Sequence, residues 1–104
     1  MINLIKKILG HGPQTDLKEL INKGAQIIDV RTKEEYQHGH IKGSVNIPLQ
    51  GLSNNISKIK KNKPIITCCA SGMRSESAKR FLKSHGFSEV YNGGGWISLN
   101  KKIS

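Results

Sequence analysis

Apolar residues in this chain fall in short clusters of two kinds, some at helical spacing and some in unbroken runs. Leu17, Leu20 and Ile21 share one helical face, behind an Asp16 cap with Glu19 three residues on, and Gly24 stands where the helix should end. Gln26-Ile27-Ile28-Asp29-Val30 is rich in β-branched residues and predicts a buried strand. Thr32 and Glu35 make a T-x-x-E capping box, so a short helix follows across Lys33 to His38, and Gly39 ends it. Ser44-Val45-Asn46-Ile47 predicts a second strand, closed by Pro48. Leu49, Leu52, Ile56 and Ile59 keep roughly helical spacing and predict a helix broken by Asn62 and Pro64. Pro64-Ile65-Ile66-Thr67-Cys68 predicts a third strand, buried on both faces. Ala78, Phe81, Leu82 and His85 fall at i, i+3, i+4 and i+7, an amphipathic helix from about Ser75 to a Gly86 cap. Glu89-Val90-Tyr91 predicts a fourth strand, Asn92 to Gly95 a flexible loop, and Trp96 to Leu99 a last helical turn.

Strands alternating with helices imply β-α units and a parallel sheet. Chemistry in such sheets sits outside the carboxyl ends of the strands, here the loops after Val30, Cys68 and Tyr91. No repeat or linker is visible after about Pro13. Ile2, Ile5 and Leu9 suggest a short amphipathic helix ahead of it, which divides the chain into an N-terminal segment, 1–13, and a domain, 14–104.

Composition narrows the partners. A chain of 104 residues has room for one ordinary core, and a domain of this size is expected to fold as a monomer. The net charge is +10, yet 14 of the 17 cations are Lys and five residues are aromatic, a poor match to a nucleic-acid reader. The charge reads as solubility and attraction for anions, with no nucleic acid expected. The densest run, Lys58, Lys60, Lys61 and Lys63, reads as a solvated helix end. No apolar run approaches the ~18 residues of a spanning helix, so no stable membrane insertion is expected. Cys68 and Cys69 are neighbours, so they cannot staple a fold and do not report an oxidising compartment. With no secretory h-region at the N-terminus, a cytoplasmic location is expected. His38 and His40 with adjacent cysteines and no C-x₂-C pair do not make a metal site.

The segment Cys69-Ala70-Ser71-Gly72-Met73-Arg74-Ser75 follows a buried strand and precedes a helix. Small residues and a Gly let the backbone curl until successive N–H groups converge, which makes an anion-binding nest at a helix N-terminus. A thiol at its start, with Arg74 near its end, should ionise easily. Cys69 is therefore the candidate nucleophile, and Ala70, Ser71, Gly72, Met73, Arg74 and Ser75 the candidate substrate-binding loop. Read as a plain side chain, Cys69 would instead be a small buried hydrophobe. Cys68 should point to the opposite face of the strand, into the core. Arg31 is expected to pair with Glu34 or Glu35, with Asp29 bonding backbone.

Four stretches resemble the single-domain rhodanese-like sulfurtransferases. They are Ile28 to Tyr36, Gly39 to Pro48 (a GHI-x-G-x-x-N-I-P segment), the C-x-S-G-x-R-S loop from Cys69 to Ser75, and Tyr91 to Trp96 with its glycines. Their order and spacing match the family from roughly Leu17 to Leu99. The resemblance implies an α/β fold, a central, mostly parallel sheet of about four or five strands with helices on both faces. It also implies Cys69, not Cys68, as the nucleophile, since Gly72 and Arg74 lie three and five residues later. The activity implied is transfer of a sulfane sulfur, from a donor such as thiosulfate or a persulfide, to a thiol, a protein acceptor or another thiophile. The carrier would be a Cys69 persulfide, with no cofactor and no metal. Related phosphatases close a loop one residue longer around a phosphate; six residues from Cys69 to Arg74 suit one sulfur atom better. The alternative is a non-catalytic rhodanese-like module that binds a protein.

Overall fold

The computed structural model describes residues 16–104. The helix expected over Ile2 to Leu9 lies outside the described residues. The elements run α1 (Leu17–Asn22), β1 (Gln26–Asp29), α2 (Lys33–Gln37), β2 (Val45–Asn46), two 3₁₀ segments (Leu49–Gly51 and Ser53–Lys58), β3 (Ile65–Cys69), α3 (Met73–Ser84), β4 (Val90–Gly95) and α4 (Trp96–Ile103). The four strands form one parallel sheet in the order β2-β1-β3-β4.

The two caps read from the sequence are present. Asp16 Oδ1 accepts from the Glu19 N–H, and Thr32 and Glu35 complete the reciprocal capping box of α2. The sheet divides two cores. On one face Ile28, Val30, Ile65 and Val90 pack with Leu52, Ile59, Ala78, Leu82 and Phe87, beneath α3 and the 3₁₀ segments. On the other, Ile27, Ile66 and Cys68 pack with Leu99, flanked by Leu17, Leu20 and Ile21 of α1 and Trp96 and Ile103 of α4. Burial on both faces explains why β3 reads as a continuous apolar run.

Three expectations need correction. The helix over Leu49 to Ile59 is two 3₁₀ segments. Asn55 leaves helical geometry (φ −126°, ψ 16°) and its side-chain amide donates to the Gly51 carbonyl at 2.6 Å, a local bond that competes with the helix. The helix placed from about Ser75 begins at Met73, because Gly72, at φ +107°, makes the turn into it. Asn92 to Gly95 is not a free loop but the end of β4. Thr67 pairs with Asn92 and Cys69 with Gly95, so β4 carries one extra residue there, a bulge with Gly94 at φ +82°.

The strand order sets the site. The chain leaves β1 toward β2 on one side and β3 toward β4 on the other. The crevice beyond the carboxyl ends of β1 and β3 is therefore the switch point where α/β sheets hold ligands.

Candidate active site

Cys69 is the last residue of β3 and is 1% exposed, so its sulfur lies on the floor of the following loop. Two backbone donors aim at it: the N–H of Gly72 at 3.0 Å and that of Ser75 at 3.3 Å. The Ser75 Oγ stands 3.5 Å from the sulfur. Burial pushes the Cys69 thiol up. The Ser75 hydroxyl and the N–H groups of Ser75, Gly72 and Ser71 outweigh it and hold the thiol below its ordinary value. Cys68, one residue earlier, packs into the opposite core, where burial and the neighbouring Asp29 charge push its thiol up to about 12.

The loop is braced from three sides. Thr67 Oγ1 donates to the Ser75 carbonyl at 2.9 Å, which ties the first turn of α3 to β3. Gly95 lies against the loop so closely that a Cβ there would sit 2.8 Å from the Ala70 carbonyl oxygen. Asn92 links three segments. Its Nδ2 donates to the Gly72 carbonyl and to Glu76 Oε1, both at 3.1 Å, while its Oδ1 accepts from the Ser75 hydroxyl at 2.6 Å and the Gly94 N–H at 2.9 Å. The sequence does not single out Asn92. Nothing in its spacing marks it, because the bulge that turns it toward α3 comes from strand pairing.

Of the residues singled out, Cys69, Gly72 and Ser75 converge on the sulfur. Ala70 and Ser71 form the exposed crest of the loop, and Met73 stands on its rim, 80% exposed. Arg74 is paired with a carboxylate. Its two terminal nitrogens donate to Glu35 Oε1 and Oε2 at 2.8 and 3.0 Å, across the crevice to α2. The Arg74 guanidinium holds the Glu35 carboxyl down to about 2, with help from the Thr32 N–H.

That pair takes the Glu35 carboxylate, so the ion pair expected between Arg31 and Glu34 or Glu35 does not form, and Arg31 Nη1 reaches Glu35 only at its backbone carbonyl, at 3.3 Å. Arg31 instead grips Asp29, with Nη2 on Oδ2 at 2.7 Å and Nε on Oδ1 at 2.9 Å, and its Nη2 also donates to the Gly39 carbonyl. The guanidinium lies 4.7 Å from the centre of the Trp96 ring. Asp29 and Arg31 are buried, so each satisfies the other's charge, and they fix the turn after β1 rather than face the crevice. Asp29 also accepts from the Arg31 backbone N–H, the backbone bond expected of it. His40 Nδ1 bonds the Tyr36 carbonyl, and its ring stacks on Tyr36 at 3.7 Å.

Known proteins resemble this architecture. A family model described as "Rhodanese-like domain" matches residues 13–99. Thiosulfate sulfurtransferase GlpE of Pseudomonas savastanoi is 33% identical over 87 residues, covering 84% of this chain and 82% of that protein. An uncharacterised Bacillus subtilis protein, YqhL, is 40% identical over 80 residues, 76% of this chain; the match spans 64% of YqhL's own length. Among solved structures, a rhodanese with anions from E. coli superposes with a TM-score of 0.67 at 36% identity, covering 71% of this chain and 89% of that one.

Proposed function

The chain belongs to the rhodanese-like domain family, and from that premise we propose that it is a sulfurtransferase working through a Cys69 persulfide. The observation that carries this reading is the convergence of the Gly72 and Ser75 N–H groups on one buried sulfur. A thiolate held this way needs no general base to become a nucleophile. The Cys69 thiolate attacks the outer, sulfane sulfur of a donor such as thiosulfate or a persulfide. A new S–S bond forms as the donor's S–S bond breaks, and the sulfite or thiolate leaves with that bond's electron pair. A thiol or protein acceptor then attacks the terminal sulfur and releases Cys69 as thiolate.

The nest supports the second half of the cycle as well. The N–H groups that hold the thiolate are placed to stabilise charge on a persulfide, as preorganised dipoles do in an oxyanion hole. Ala70, Ser71, Gly72, Met73, Arg74 and Ser75 form the wall the donor meets, and the basic chain draws anions toward it. Steady-state kinetics with varied donor and acceptor test the scheme. Parallel double-reciprocal lines are expected, with turnover abolished in Cys69→Ser and kept in Cys68→Ser. Intersecting lines, or activity in Cys69→Ser, would refute it.

A further inference from the structure

Arg74 is the active-site loop's own cation, and Glu35 occupies both of its terminal nitrogens. Glu35 is fixed from its own side too, since its Oε1 accepts from the Thr32 N–H at 2.9 Å. With its carboxyl held to about 2, Glu35 is ionised at any ordinary pH, so the pair carries no net charge. Beside the pair, at the switch point of the sheet, lies a cleft of about 350 Å³ lined by Val30, Thr32, Pro48, Leu49, Gln50 and Arg74.

This combination disfavours a small dianion. Thiosulfate brings a sulfonate end that must give up water, and meets a guanidinium already neutralised and three apolar walls. A protonated organic persulfide, R–S–SH, brings no ionic group that must give up water, and its outer sulfur meets the thiolate that the loop N–H groups hold. Its carbon stem can lie against Val30, Pro48 and Leu49 and leave water. We propose that Glu35 is a specificity-determining residue, which neutralises Arg74 and so turns the site toward low-molecular-weight organic persulfides and away from thiosulfate.

The inference rests on the sulfurtransferase reading. The step it concerns balances without a further reactant. The Cys69 thiolate takes the terminal sulfur of R–S–SH, the donor S–S bond breaks, R–S⁻ leaves with its electron pair, and the proton stays on the new persulfide. One S–S bond replaces another, with no net oxidation.

The test compares kcat/KM for thiosulfate and for butyl persulfide in the wild type and in Glu35→Gln. Gln serves at the same capping-box position, so α2 keeps its start. The wild type is expected to prefer butyl persulfide. Glu35→Gln is expected to raise kcat/KM for thiosulfate by about tenfold, the scale of one unmasked charge near a protein surface, and to leave butyl persulfide little changed. The gain should shrink as salt is added. Leu49→Asn should lower the butyl persulfide value and spare thiosulfate. An unchanged donor ratio in Glu35→Gln, or equal loss on both donors, would overturn the role given to Glu35. If wild-type Cys69 accepts sulfur from neither donor, the sulfurtransferase reading itself fails, an outcome the intact mass separates from the others.

Discussion

The Ser75 hydroxyl donates to Asn92 Oδ1 at 2.6 Å while its oxygen stands 3.5 Å from the Cys69 sulfur. The Asn92 amide cannot turn over, because its Nδ2 faces the Gly72 carbonyl and Glu76 Oε1, and its Oδ1 faces the Gly94 N–H. The amide therefore holds Ser75 Oγ beside the sulfur. When Cys69 ionises, the hydroxyl can swing its proton to the thiolate, and Oδ1 keeps the Gly94 N–H.

Ser75→Ala is accordingly expected to raise the Cys69 thiol pKa, since a hydrogen bond that favours the thiolate is lost. Thiolate absorbance followed against pH measures it. Asn92→Asp should shift the pKa the same way, because a carboxylate competes for the Ser75 proton and adds negative charge near the sulfur. A value unmoved in both variants would remove the hydroxyl from the account.

The Glu35–Arg74 pair ties stability to acid. The folded Glu35 carboxyl lies at about 2, below its ordinary value of 4.5. Its contribution is fully present above about 4.5 and is lost as pH falls toward 2. Glu35 is about one-third exposed, so solvent screens the pair and the effect is modest. Denaturant titrations at stepped pH should show a shallower loss of stability across this window in Glu35→Gln than in the wild type.

Gly95→Ala is expected to disable the site from a distance. The new Cβ would meet the Ala70 carbonyl oxygen at 2.8 Å, a backbone atom that cannot rotate away. Either β4 or the loop must shift, and the Gly72 and Ser75 N–H groups would lose their aim at the sulfur. A folded variant by circular dichroism with sharply reduced turnover is the expected result.

The two cysteines should separate chemically. At mildly alkaline pH the Cys68 thiol, pushed to about 12, stays protonated inside its core, whereas Cys69 is held low. Iodoacetamide on the folded protein should modify Cys69, and peptide mapping should find Cys68 untouched until the chain unfolds.

Core truncation should act through packing alone. Leu82 is fully buried on the inner face of α3, so Leu82→Ala is expected to destabilise by about 2–5 kcal/mol in denaturant unfolding while the thiol pKa of Cys69 stays in place.

Most of the architecture was legible because local signals and tertiary packing agree. The Asp16 cap, the Thr32–Glu35 box and the apolar run of β3 each act within a few residues. What the sequence hid depends on contacts across the sheet. The Asn92 bulge arises from pairing between β3 and β4, and the Arg74–Glu35 bond joins residues 39 positions apart. Arg31 illustrates the limit: its i+3 and i+4 acids look like natural partners on a helix, but Arg31 precedes α2, and buried Asp29 lies on the same side of the strand end. The site was half legible for the same reason. A Cys, a Gly and a Ser in one loop can be read in order, while the carboxylate that neutralises the loop's arginine belongs to another element.

The most direct measurement is the intact mass of the protein after incubation with a sulfane sulfur donor, beside Cys69→Ser and Cys68→Ser. The account predicts a gain of one sulfur atom in the wild type and in Cys68→Ser, none in Cys69→Ser, and its loss when a thiol acceptor is added. A wild-type mass that stays unchanged with both thiosulfate and butyl persulfide, or sulfur retained in Cys69→Ser, would contradict it.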